Sequence, residues 1–172
     1  MLKQAFLAVS ILAATTAHAD NADATSSSEW ALSELSGSED SKNIIVIAKS
    51  EQGPALAFAC GEELGLYSVL VYETEDELLE QITRPQRMSH RHYGEITVGD
   101  DSLGHTWRWK DDNKTLEVRD RAVGIKLLNG VFSKKDVSFS FRQVGDYALT
   151  LAGPNDELRE FVAQCPVTRK KS

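Results

Sequence analysis

Two histidines flank an arginine in His90-Arg91-His92, the sharpest chemical feature of the sequence. Residues two apart on an extended segment point to the same side, so both imidazoles could address one cation. His105, with Asp100 and Asp101, completes a candidate set if the intervening strands fold as a hairpin. His90, His92 and His105 would then serve as the ligands of a metal-dependent hydrolase. Against this, the spacing matches no zinc signature, and Arg91 repels a cation. Exposed histidines in a loop beside arginines are the commoner arrangement.

Other chemistry finds less support. The two cysteines, Cys60 and Cys165, are not in a CxxC pair. In an oxidising compartment they close into a disulfide rather than act as nucleophile or metal ligands. That bond would enclose a loop of roughly 100 residues, for which chain entropy gives about 4 to 5 kcal/mol. There is no GxSxG, and the serines cluster in loops without a neighbouring histidine. Adjacent carboxylates such as Asp100-Asp101 and Asp111-Asp112 usually face solvent. Trp107 and Trp109 could stack on a sugar, but two aromatics on one face of a strand are more often core. No catalytic residue and no cofactor is therefore expected.

Charge is more informative. The 172 residues carry a formal net charge of -7, which disfavours a dedicated nucleic-acid binder, since that needs a positive surface. The sign is also unevenly spread. Glu73 to Glu80 holds five acids, whereas Arg84 to His92 holds three arginines and two histidines. The two halves either pair with each other or form a protruding recognition element, with Arg84, Arg87 and Arg91 as the candidate partner-binding residues.

The start of the chain reads as an address. Lys3 supplies the positive region, Ala5 to Ala14 an apolar stretch, and Ala17-His18-Ala19 the small-x-small pattern of a cleaved signal peptide. Residues 1–19 are expected to be removed after Ala19, placing the protein in the periplasm or outside the cell. Only Lys3 is lost from the charge count, so 18 of the 19 basic residues remain against 26 acidic ones, a formal -8. The apolar run is too short for a transmembrane helix, which needs about 20 residues. Residues 20–29 then read as a flexible leader, 30–166 as a single β-rich domain and 167–172 as a basic tail.

The elements that must position these side chains follow from periodicity. Strands are expected at 30–35, 43–48, 55–60, 66–72 and 93–98. Trp107, Trp109, Leu116 and Val118 define a hairpin turning at Asp111-Asp112-Asn113. Phe139 and Phe141, then Tyr147, Leu149 and Leu151, define another that turns at Gly145-Asp146. A short helix is expected over 74–82, on capping-box spacing from Thr74 to Glu77. A second runs from an Asp120 cap to a stop at Asn129-Gly130. The last carries Leu158, Phe161, Val162 and Cys165 on one face. The fold class is mainly β: an antiparallel sandwich or half-open barrel, with a C-terminal helix packed on it and one or two short additional helices.

This order of features has a likeness. Early Trp30-Ala31-Leu32, Ser38-Glu39-Asp40-Ser41 before an Ile/Val strand, Leu56-Ala57-Phe58-Ala59-Cys60, a tryptophan-bearing hairpin and Leu149-Thr150-Leu151-Ala152-Gly153 before a helix ending in Cys165 follow one another. The chain from about 30 to 166 resembles small exported two-cysteine β-proteins of Gram-negative bacteria, of the type VI secretion accessory kind and, more distantly, the invasion-associated locus B kind. The resemblance implies a non-enzymatic accessory protein with a protein or envelope partner and no catalytic residues. The acidic helix and basic loop between Thr74 and His92 depart from that simpler pattern. A purely structural envelope protein is the remaining alternative.

Overall fold

The computed structural model describes residues 29–35, 43–61, 65–73, 91–142 and 145–165, whose alternating segments form one nine-stranded antiparallel sheet. The strands are β1 (Ala31–Leu35), β2 (Asn43–Ala48), β3 (Ala55–Gly61), β4 (Gly65–Val71), β5 (Arg91–Val98), β6 (Asp101–Lys110), β7 (Thr115–Val118), β8 (Val137–Phe141) and β9 (Gly145–Leu149). Their order across the sheet is β1-β2-β3-β4-β7-β6-β5-β8-β9. Two helices accompany them among the described residues: α1 (Arg121–Phe132) and α2 (Asp156–Gln164). The chain is thus mainly β, and its sheet curls without closing into a barrel. The helix expected over 74–82 lies outside the described residues.

Strand parity decides the two faces. Ile44, Val46 and Ala48 of β2 share one face with Leu56, Phe58 and Cys60 of β3, and all six are buried. Trp107, Trp109, Leu116, Ile96, Phe139 and Phe141 continue that face across the other strands. Each fully buried side chain of this size contributes about 1.5 to 3 kcal/mol. The curl is visible where distant strands meet. Four strands separate β4 from β9 in the sheet, yet the hydroxyls of Tyr72, just after β4, and Tyr147 stand 2.9 Å apart. Beyond β9, Thr150 accepts from Glu51 N–H (3.4 Å) and donates its own N–H to Ser50 Oγ (3.0 Å), so the chain hooks onto the β2–β3 turn.

Both helices cover the inner face. Asp120 caps α1 through Ala122 and Val123 N–H, as its position before an apolar run implies. The expected stop at Asn129-Gly130 is corrected: α1 continues to Phe132. Gly130 packs against β5, where a Cβ would sit 2.4 Å from Val98 Cγ1, and Gly124 similarly faces Leu66 at 2.9 Å. Both glycines therefore serve close helix–sheet approach rather than termination. The second hairpin is corrected too. Gly145 and Asp146 already belong to β9, paired with Phe141 and Ser140, so the turn precedes them; Leu151 falls beyond the strand.

α2 begins at Asn155, whose Oδ1 accepts from Leu158 N–H (3.0 Å) while its Nδ2 donates to Trp30 O (2.7 Å). Glu157 accepts from Leu32 N–H, so α2 also occupies part of the exposed edge of β1. Covering an edge in this way blocks strand-to-strand aggregation. Phe161 and Trp30 both pack on Phe58, with centroids 6.5 and 5.6 Å from it. Cys165 ends the helix and is bonded to Cys60, with Cα atoms 5.8 Å apart. A disulfide of this kind is compatible with an oxidising compartment. No described helix is long and apolar enough to cross a membrane.

Candidate functional site

The β5–β6 hairpin holds the described part of the histidine set. His92 is 7% exposed and faces inward, directly across from Trp107, while His105 faces the same side across from Gly94. The two are diagonal neighbours, a relation that puts side chains about 7 to 8 Å apart. His90 lies outside the described residues. Asp100 and Asp101 stand at the far end of the hairpin, where Asp101 pairs with Val98. Six residues of strand separate that end from His92, about 20 Å at strand rise. Those carboxylates therefore do not complete a site with His92. Among the described residues no three His, Cys, Asp or Glu side chains converge to hold a metal.

His105 has another engagement. Its Nε2 lies 3.2 Å from Asp120 Oδ2 and its Nδ1 lies 3.2 Å from Thr106 O. Metal ligation through either nitrogen would break one of these contacts. Burial pushes the Asp120 carboxyl up, but the N–H groups of Val123 and Ala122 and the imidazole of His105 together hold it below its ordinary value. A carboxyl lowered by folding contributes stability above its unfolded value, and that contribution fades as pH falls through the folded value. Asp120→Ala is expected to cost about 1 kcal/mol at pH 7. Urea titrations should show the difference from wild type shrinking below about pH 4. A gap independent of pH would mean that the cap owes nothing to the charge.

The outer face carries a second constellation, one that reading along the chain did not assemble. Arg91 opens β5 directly across from Arg108 of β6, and Arg108 lies across from Glu117 of β7. Arg119 reaches the same Glu117 at 3.5 Å, with its guanidinium 5.5 Å from the centroid of the Tyr67 ring. Burial and the Glu117 charge raise the Tyr67 phenol, against the opposing pull of Arg119. Tyr93, 61% exposed, sits two residues along β5 from Arg91 and lies across Gly104. Like charges directly opposed on a sheet cost stability. The signal available in sequence was parity: Arg91, Tyr93, Arg108 and Glu117 occupy outward positions of strands that become neighbours through the order β7-β6-β5, and Arg119 follows β7 directly.

The remaining candidates are placed as follows. Arg84 and Arg87 lie outside the described residues, as does most of the acidic stretch. Its first member, Glu73, pairs with Lys49 at 2.9 Å, and this hydrogen bond and charge hold its carboxyl below the ordinary value. Trp107 and Trp109 are both core, so neither is available as a sugar platform. Trp109 Nε1 donates to Asp111 at the turn. No family model matches the sequence, and no curated protein or solved structure matches it.

Proposed function

We propose that this chain is an exported, non-enzymatic binding or accessory domain whose outer sheet face engages an anionic protein or envelope partner. The observation that carries the reading is the arginine row: Arg91 and Arg108 face each other, and Arg108 and Arg119 flank one carboxylate, Glu117, in a chain of net charge -7. Guanidinium groups set directly opposite one another on an outward face favour an anionic partner by charge complementarity. Guanidinium forks bind carboxylate and phosphate in two-point contacts, and the neighbouring Tyr67 and Tyr93 add amphipathic area. The curled sheet and the Cys60–Cys165 bond provide a rigid base for such a surface.

The signal-peptide pattern and the disulfide together support export, and the two-cysteine resemblance supports an accessory role. Arg84 and Arg87 precede Arg91 by seven and four residues in sequence, and the three are the candidate partner-binding set. Reversing the charge of Arg84, Arg87 and Arg91 together is expected to abolish recovery of the partner from the envelope fraction while leaving the urea midpoint unchanged.

A further inference from the structure

The turn between β6 and β7 carries a motif that partner binding does not use. Lys110 and Thr115 pair across the hairpin, and Asp111-Asp112-Asn113-Lys114 forms the tip between them. Asn113-Lys114-Thr115 is an Asn-x-Thr sequon, with no proline at its middle position. Such a sequon is used on the export side of a membrane, so its meaning here rests on the export reading.

The two ends of the sequon differ in the folded chain. Asn113 is exposed, whereas Thr115 is 7% exposed and its Oγ1 is buried without a hydrogen-bond partner. A buried hydroxyl with no partner lowers stability, and valine has nearly the same shape and a similar preference for strands. The fold therefore has no use for the hydroxyl. The sequon does, because a hydroxyl two residues after the asparagine is what defines it. Backbone pairing decides when that hydroxyl can be reached: the Lys114 carbonyl accepts from Tyr72 N–H at 3.0 Å, and Thr115 pairs with Val71 of β4 and Lys110 of β6. Thr115 cannot enter an enzyme's groove without leaving this ladder. The sequon is complete only before β7 docks between its neighbours.

From an exposed amide at the tip and an idle buried hydroxyl beside it, we infer that Asn113 accepts an N-linked oligosaccharide during export, before β7 pairs with β4. The donor is a polyprenyl-diphosphate oligosaccharide. The Asn113 amide nitrogen bonds to the anomeric carbon as the carbon–oxygen bond to the diphosphate breaks; the nitrogen gives up one proton and polyprenyl diphosphate leaves. Asp111, two residues before the asparagine, supplies the acid that bacterial enzymes of this kind read. In the folded chain the glycan stands at the exposed tip and displaces no core contact.

The test is to produce residues 20–172 behind a host signal peptide, in bacteria carrying a periplasmic oligosaccharyltransferase and its lipid-linked donor. The host then supplies export, so a failure here is distinct from a failure of the export reading. The intact mass should rise by one oligosaccharide, carried on the peptide that contains Asn113. Asn113→Gln and Thr115→Val should each abolish that gain, while Thr115→Val keeps or raises the urea midpoint. The folded, unmodified chain, offered the same enzyme and donor after purification, should gain far less glycan than the chain modified during export. No mass gain in wild type, a gain that survives Asn113→Gln or Thr115→Val, a lowered urea midpoint in Thr115→Val, or equal modification of the folded chain would each overturn the inference.

Discussion

Cys60→Ser combined with Cys165→Ser is expected to lower the stability of the folded chain by about 4 to 5 kcal/mol, the value that chain entropy assigns to a loop of this size. The two cysteines are 105 residues apart in sequence, so the bond restricts most of the unfolded chain. Its local effect is as large. A nine-residue helix such as α2 is too short to persist alone, and it is held by Leu158, Phe161 and the disulfide. Releasing its end loosens the Asn155 and Glu157 contacts to Trp30 and Leu32, and with them the cover on the β1 edge. The melting temperature should fall by roughly 10 to 20 °C, and the variant should aggregate more readily when heated. A loss below about 1 kcal/mol would show that the staple is dispensable.

Trp107→Ala should cost nearly as much, about 3 to 5 kcal/mol. The indole is 0% exposed and meets Phe139 and Phe141 edge-on, at centroid distances of 5.6 and 5.8 Å. Those rings continue to Tyr147, which reaches Tyr72 across the curl. Removing the indole therefore leaves a cavity at the junction of β5, β6 and β8, where rigid sheet backbone limits collapse. Tyr93→Ala, on the same hairpin but on the outward face, should change stability by no more than about 0.5 kcal/mol. Urea unfolding of the pair tests the assignment of faces, and equal losses would contradict it.

The contrast between these positions also explains what the sequence could disclose. Asn43–Ala48 is legible because its β-branched run has no other stable home, and Asp120 because a cap needs only its own side chain and the N–H groups just after it. The first half of β6 was not legible. Ser102, Gly104 and Thr106 face outward and Leu103 and His105 are only partly covered, so no apolar alternation marks the strand. Gly130 misled for a different reason: glycine ends helices by conformation but also admits a neighbour, and only the position of Val98 distinguishes the two. The disulfide followed from there being two cysteines and a signal-peptide pattern that implies an oxidising compartment. The arginine row did not, because Arg91, Arg108 and Arg119 become neighbours through sheet order rather than proximity in sequence. The histidine set was partly legible: the hairpin that brings His105 beside His92 forms, but strand length carried the aspartates away, and His90 lies outside the described residues.

The binding reading stands or falls on Arg84, Arg87 and Arg91. Crosslinking of residues 20–172 in an envelope fraction, with wild type beside the Arg84, Arg87 and Arg91 charge reversal and at low and high salt, is the decisive measurement. One crosslinked partner is expected with wild type, weakened by salt as exposed charge contacts are screened. With the variant, that partner should be lost while the urea midpoint stays unchanged. Equal recovery from both proteins, or recovery indifferent to salt, would contradict it.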